Sequence, residues 1–166
     1  MPDLKSIEQL VAAYITKNFD ESAEPKKYKM HGFLKNEELD EVDFLKLYAQ
    51  AKTGGETFSE MLLRLIKESG EKNSAIYNRA QVDRQLFSRI KKNKNYKPRK
   101  DTAIAFALAL KLDFERAKEL LAVAGYVLTR SKRDLIIKFF IEQEIFDTVL
   151  LNDYLHEYKQ TILFGR

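Results

Sequence analysis

The sequence predicts an all-α protein, on three observations. Apolar residues return every three or four positions along most of the chain. Thr, Asp, Ser and Gly fall where helices need to start and stop. Period-two alternation is confined to scraps such as residues 28–34. With 166 residues, 45% hydrophobic and 33% charged, the chain has the composition of a soluble globular protein. Folding at that length buries roughly 70% of the unfolded surface, which suits one domain with appendages or two small helical units.

Taken in order, Leu4, Ile7, Leu10, Val11, Tyr14 and Ile15 predict an amphipathic helix over residues 3–18. The polar stretch 18–29, with Ser22 and Pro25, reads as a loop. A second helix is expected over 37–52, carrying Leu39, Val42, Phe44, Leu45, Leu47 and Tyr48, with acidic residues gathered in its first turns. Gly54 and Gly55 end it and mark a boundary.

Thr57, three residues before Glu60, is the start of a capping box, followed by the stripe Phe58, Met61, Leu62, Leu65 and Ile66 and closed by Gly70. Residues 74–80 and 83–93 form two short helices separated by a tight turn. Residues 101–112 are apolar almost all round, so this helix is expected at the centre of the core. Asp113 caps a helix that runs to Ala124 and stops at Gly125. Ser131 with Asp134 opens the next, and the last spans residues 147–159. The expected segments are 1–53, 57–126 and a C-terminal helical extension, 127–166.

Charge is unevenly distributed. Residues 1–56 carry 8 Lys/Arg against 11 Asp/Glu, 57–100 carry 12 against 4, and 101–166 carry 9 against 10. The nets of −3, +8 and −1 sum to the formal +4, so one central segment supplies the positive field. Within it Arg84, Arg89, Lys91, Lys92, Lys94, Lys97, Arg99 and Lys100 occupy 17 residues that contain no acidic side chain. A solvated helical face mixes signs; a sign-pure run points to an anionic partner. On a helix that starts at Asp83, Phe87 and Ile90 share one face, while Arg84, Gln85, Ser88 and Lys91 lie around the other. Such a helix fits the major groove, where arginine pairs with guanine and glutamine with adenine, and the lysines that come after it would track phosphates.

The succession of helices over 57–126, and above all the stretch Val82-Asp83-Arg84-Gln85-Leu86-Phe87-Ser88-Arg89-Ile90, resembles the lambda-repressor-like helix-turn-helix DNA-binding family. The resemblance covers about 70 residues of the chain. It implies a five-helix domain with a recognition helix over about residues 83–93 and a basic loop over 94–100, to which the apolar periodicity on either side adds N-terminal and C-terminal helices. It further implies a bacterial or phage regulator of transcription that reads duplex DNA. Arg84, Gln85, Ser88 and Arg89 would stand near bases, and Lys91, Lys92, Lys94, Lys97, Arg99 and Lys100 on phosphates. Three positions depart from the family pattern: Tyr77 replaces a small residue between the paired helices, Gln81 replaces a turn glycine, and Leu86 is apolar among polar neighbours. Tyr77 implies either a splayed helix pair or a ring turned outward. Leu86 suits a thymine methyl or a protein contact, and Tyr96 suits a sugar contact or an anchor for the loop.

These departures motivate a rival expectation, that the fold serves as a protein-interaction module, such as an adaptor or antitoxin-like partner in phage defence or stress. RNA binding through the same loop is a third reading. Phe139, Phe140, Ile141, Ile145, Phe146, Leu150, Leu151, Tyr154, Leu155 and the tail 162–164 are expected either to complete the core around the five helices or to form a homodimer or partner face.

Catalysis is not expected. His31 and His156 have no metal-ligand spacing, the six glycines make no phosphate-cradling loop, and the absence of cysteine removes thiolate chemistry. Asp40 and Asp43 fit first-turn dipole stabilisation better than cation binding, and residues 157–159 read as ordinary helix surface. No cofactor or metal is expected. The longest apolar run, residues 103–110, is too short to span a bilayer, and the first residues lack a secretory leader's pattern; the expected setting is the cytoplasm, with no membrane partner.

Overall fold

The computed structural model describes residues 4–19, 49 and 55–164. Among them the elements are all α-helices: α1 (Leu4–Asn18), α2 (Phe58–Ser69), α3 (Asn73–Arg79), α4 (Arg84–Lys92), α5 (Lys100–Ala109), α6 (Phe114–Val123), α7 (Lys132–Glu142) and α8 (Thr148–Glu157). The helix expected over 37–52, with Asp40 and Asp43, lies outside the described residues apart from Ala49, as do His31 and most of the loop over 18–29. The described residues fall into two compact units, one comprising 4–19 with 128–164 and the other 49 with 55–127.

In the unit that holds α2 to α6, α5 is the centre. Every residue from Ala103 to Ala109 is at most 2% exposed. A helix with no polar face gains most by being enclosed, and each fully buried Ile104, Phe106 or Leu108 contributes about 1.5–3 kcal/mol. Helices α3 and α6 pack on α5, α2 packs on α6 and α4, and α4 packs on α3. The capping box at α2 is present: Glu60 N donates to Thr57 Oγ1, and Thr57 N donates to Glu60 Oε2 at 3.0 Å.

Helices α3, α5 and α6 stop by one device. A residue with positive φ comes after the last turn, its amide and the next amide reach back to the helix's final carbonyls, and the chain leaves sharply. Gln81 (φ 52) donates to Asn78 O and Val82 to Tyr77 O; Lys111 (φ 52) donates to Leu108 O and Leu112 to Ala107 O; Gly125 (φ 90) donates to Ala122 O and Tyr126 to Leu121 O. This is why α5 ends at Ala109 although its apolar pattern continues to Leu112. Leu112 belongs to the cap, buried beyond the left-handed Lys111.

In the other unit α1 packs on α7, and α7 on α8. Ile7, Val11 and Ile15 face inward from α1, and an aromatic run crosses the unit: Tyr14 to Phe139 at 5.5 Å, Phe139 to Phe140 at 6.1 Å, Phe140 to Tyr154 at 5.7 Å. Tyr14 OH donates to Glu142 Oε2 at 2.8 Å. Asp134 is buried at the start of α7, where its carboxylate accepts from Thr129 N and Thr129 Oγ1 at 2.7 and 2.8 Å. Of the apolar C-terminal residues, Phe139, Phe140, Ile141, Ile145, Leu151, Tyr154, Leu155 and Leu163 are buried. The N-terminal α1 supplies part of their cover, so the described residues of the two chain ends share one unit. No helix among the described residues is long and apolar enough to cross a membrane.

The left-handed Gln81 carries a conformational cost that glycine avoids. Gln81→Gly is expected to raise stability by about 0.5 kcal/mol, read as a higher urea midpoint with an unchanged slope.

Candidate nucleic-acid interface

Asp83 starts α4 by accepting Leu86 N on its Oδ1 at 2.7 Å. At about 100° per residue, Lys91, Arg84, Ser88, Lys92, Gln85 and Arg89 fall in one arc of about 160°, and Leu86, Ile90 and Phe87 in the remainder. Burial matches this division: Phe87 and Ile90 are buried and Leu86 half-buried, while Arg84, Gln85, Arg89, Lys91 and Lys92 are exposed and Ser88 is half-buried. The Phe87 ring lies 5.1 Å from that of Tyr77 and 6.3 Å from that of Phe106. Tyr77 therefore does not turn outward: half-buried, it covers Phe87.

Asn93 organises the chain between α4 and α5. Its amide donates to Arg89 O, and its carbonyl accepts from Ser59 Oγ at 3.0 Å and from Tyr96 N at 3.0 Å. Its side-chain Oδ1 accepts from Asn95 N at 3.0 Å. The result is a closed turn over 93–96, with Tyr96 half-buried. Two residues on, Pro98 is buried, and its carbonyl accepts from Tyr126 OH at 2.9 Å. Arg99, with extended backbone, is the N-cap of α5.

Several described carboxylates of this unit are committed elsewhere. Glu56 and Glu68 bind Arg64 at 2.8 and 2.9 Å, Glu68 also binds Arg116, and Glu71 binds Arg79 at 2.6 Å. Arg79 in addition donates to Ala109 O at the end of α5. Hydrogen bonds from Arg64 and then Arg116 hold the Glu68 carboxyl below the usual glutamate range; Arg79 does the same for Glu71. Glu60 is held down by the Thr57 amide first and then by Lys94, its partner at 2.9 Å.

Six of the eight cations over 84–100 thus have no carboxylate partner among the described residues: Arg84, Arg89, Lys91, Lys92, Lys97 and Arg99, all exposed. Two differ from expectation. Lys94 is paired with Glu60, because the turn after Asn93 carries it towards the capping box of α2. Lys100 belongs to the first turn of α5 rather than to the loop, half-buried and engaged within the protein. Charge and periodicity pointed to the cations but missed Ser59, Asn93 and Tyr126, whose only signal was Ser59 as a polar residue inside an apolar stripe. Among the described residues no group of three His, Asp or Glu side chains could hold a metal ion, and His156 is exposed on α8.

Comparison with family models, curated proteins and solved structures finds no match to this chain.

The depressed glutamates set an acid limit on stability. Their folded values lie below their unfolded ones, so their contribution is complete above the ordinary glutamate value and is lost as pH falls from there through the folded values. The unfolding midpoint is expected to hold at neutral pH and to drop below about pH 4.5, and Glu68→Gln should blunt that drop.

Proposed function

We propose that the protein binds duplex DNA through α4 and the segment 93–99 that follows it, as a transcriptional regulator whose helices α2 to α6 form a lambda-repressor-like helix-turn-helix domain. The observation that carries this reading is the group of six exposed cations with no carboxylate partner among the described residues, four on one helical arc and two on the segment that follows it. Arg84 and Gln85 occupy the first exposed turn of α4, where a helix laid in the major groove presents side chains to base edges. Lys91, Lys92, Lys97 and Arg99 would contact phosphates, which position a protein without reading sequence. Of the other cations expected on phosphates, Lys94 must leave or share Glu60, and Lys100 is engaged within the protein.

Neutralising about five phosphates gives a log-log salt slope of about −4.5, or roughly 500-fold weaker binding between 50 and 200 mM salt. Fluorescence anisotropy with a labelled duplex pool would measure it. Arg84→Ala with Lys92→Ala is expected to weaken binding at least about tenfold and to reduce the slope by about 1. Binding that is indifferent to salt, or unmoved by the double substitution, would overturn the reading. So would displacement of the duplex by structured RNA at much lower concentration.

A further inference from the structure

Two cations of the proposed interface, Lys97 and Arg99, come directly after a closed turn, and the groups that hold this segment carry no charge. We infer that Asn93, Ser59 and Tyr126 are positioning residues for phosphate contact: they hold Lys97 and Arg99 in place before any nucleic acid arrives. This role rests on the proposal that the protein binds duplex DNA.

Four bonds converge on the segment 93–98 from three directions. Asn93 closes it from within, through Tyr96 N on its carbonyl and Asn95 N on its side chain. Ser59, at 2% exposed, ties the same carbonyl to α2, and Tyr126 ties the Pro98 carbonyl to the chain leaving α6. Lys97 and Arg99 flank buried Pro98, and neither has a carboxylate partner among the described residues. The backbone on both sides of Lys97 is therefore fixed by neutral groups, while its ammonium and the Arg99 guanidinium are left for solvent or a phosphate. A segment held in its bound conformation loses less entropy on association than a mobile one, so such anchoring raises affinity without adding a contact. The Ser59 hydroxyl is too deep to touch a ligand, which makes its role one of support.

Tyr126→Phe keeps the ring and removes only the hydroxyl. It is expected to weaken duplex binding about fivefold, the scale of one hydrogen bond, with the salt slope unchanged because no phosphate contact is lost. In a Lys97→Ala/Arg99→Ala background the same substitution should change nothing further, whereas general destabilisation would act equally in both. Amide exchange at Tyr96 is expected to quicken in Asn93→Ala and Ser59→Ala, read on the free protein. If Tyr126→Phe binds as the unaltered protein does, or loses as much in the double-alanine background, the positioning role is overturned and DNA binding stands. If the unaltered protein fails to bind duplex at low salt, both fall. Should Asn93→Ala not fold, Tyr126→Phe decides alone.

Discussion

The aromatic seam of Tyr77, Phe87 and Phe106 sets the rotation of α4, and through it the face that the unit shows to solvent. Phe106 belongs to α5, the helix with no polar side, so its position is set by enclosure. Phe87 packs towards it and Tyr77 covers Phe87 from α3. Once that contact is made, α4 has no rotational freedom left: Ile90 must also go inward, and the cations must go out. Removing the Phe87 ring would cost on the scale of a large core truncation, about 3–5 kcal/mol, and would release the orientation of α4 as well.

Charge segregation in the same unit has a local origin. Several described acidic residues serve structural tasks: Glu60 the capping box, Asp83 and Asp113 helix starts, and Glu68 and Glu71 arginines that fasten neighbouring segments. Most of the basic residues between 84 and 99 have no such task among the described residues. Their repulsion is tolerable at the exposed surface, where water and salt screen it, and an anion would relieve it. Glu60 is where the two sets meet, serving both the start of α2 and Lys94.

Much of the fold was legible because helices are encoded over three- and four-residue intervals. Thr57, Asp83, Asp113, Ser131 and Asp147 all cap the helices they precede, and each does so with an oxygen on its own side chain. Helix ends without glycine were harder. Lys111 adopts a left-handed backbone that nothing in its residue type announces, so the apolar pattern through Leu112 suggests a longer helix than forms. The candidate site was legible in its charges and opaque in its supports. Ser59 and Tyr126 lie 34 residues before Asn93 and 28 residues after Pro98, and no local pattern connects them.

What the sequence by itself determined is whatever depends on neighbours within a turn or two: helical class, the caps, the apolar face of each helix and the sign-pure basic run. What only the tertiary structure decided is which of those charges are spent and how they are held. Lys94 is paired because packing brings α2 to the end of α4; Lys100 is drawn into α5; and two hydroxyls remote in sequence fasten the basic turn. The reason is range: a helix is favoured by contacts three or four residues apart, whereas an ion pair or an anchoring hydrogen bond exists only after distant segments have been brought within about 3 Å.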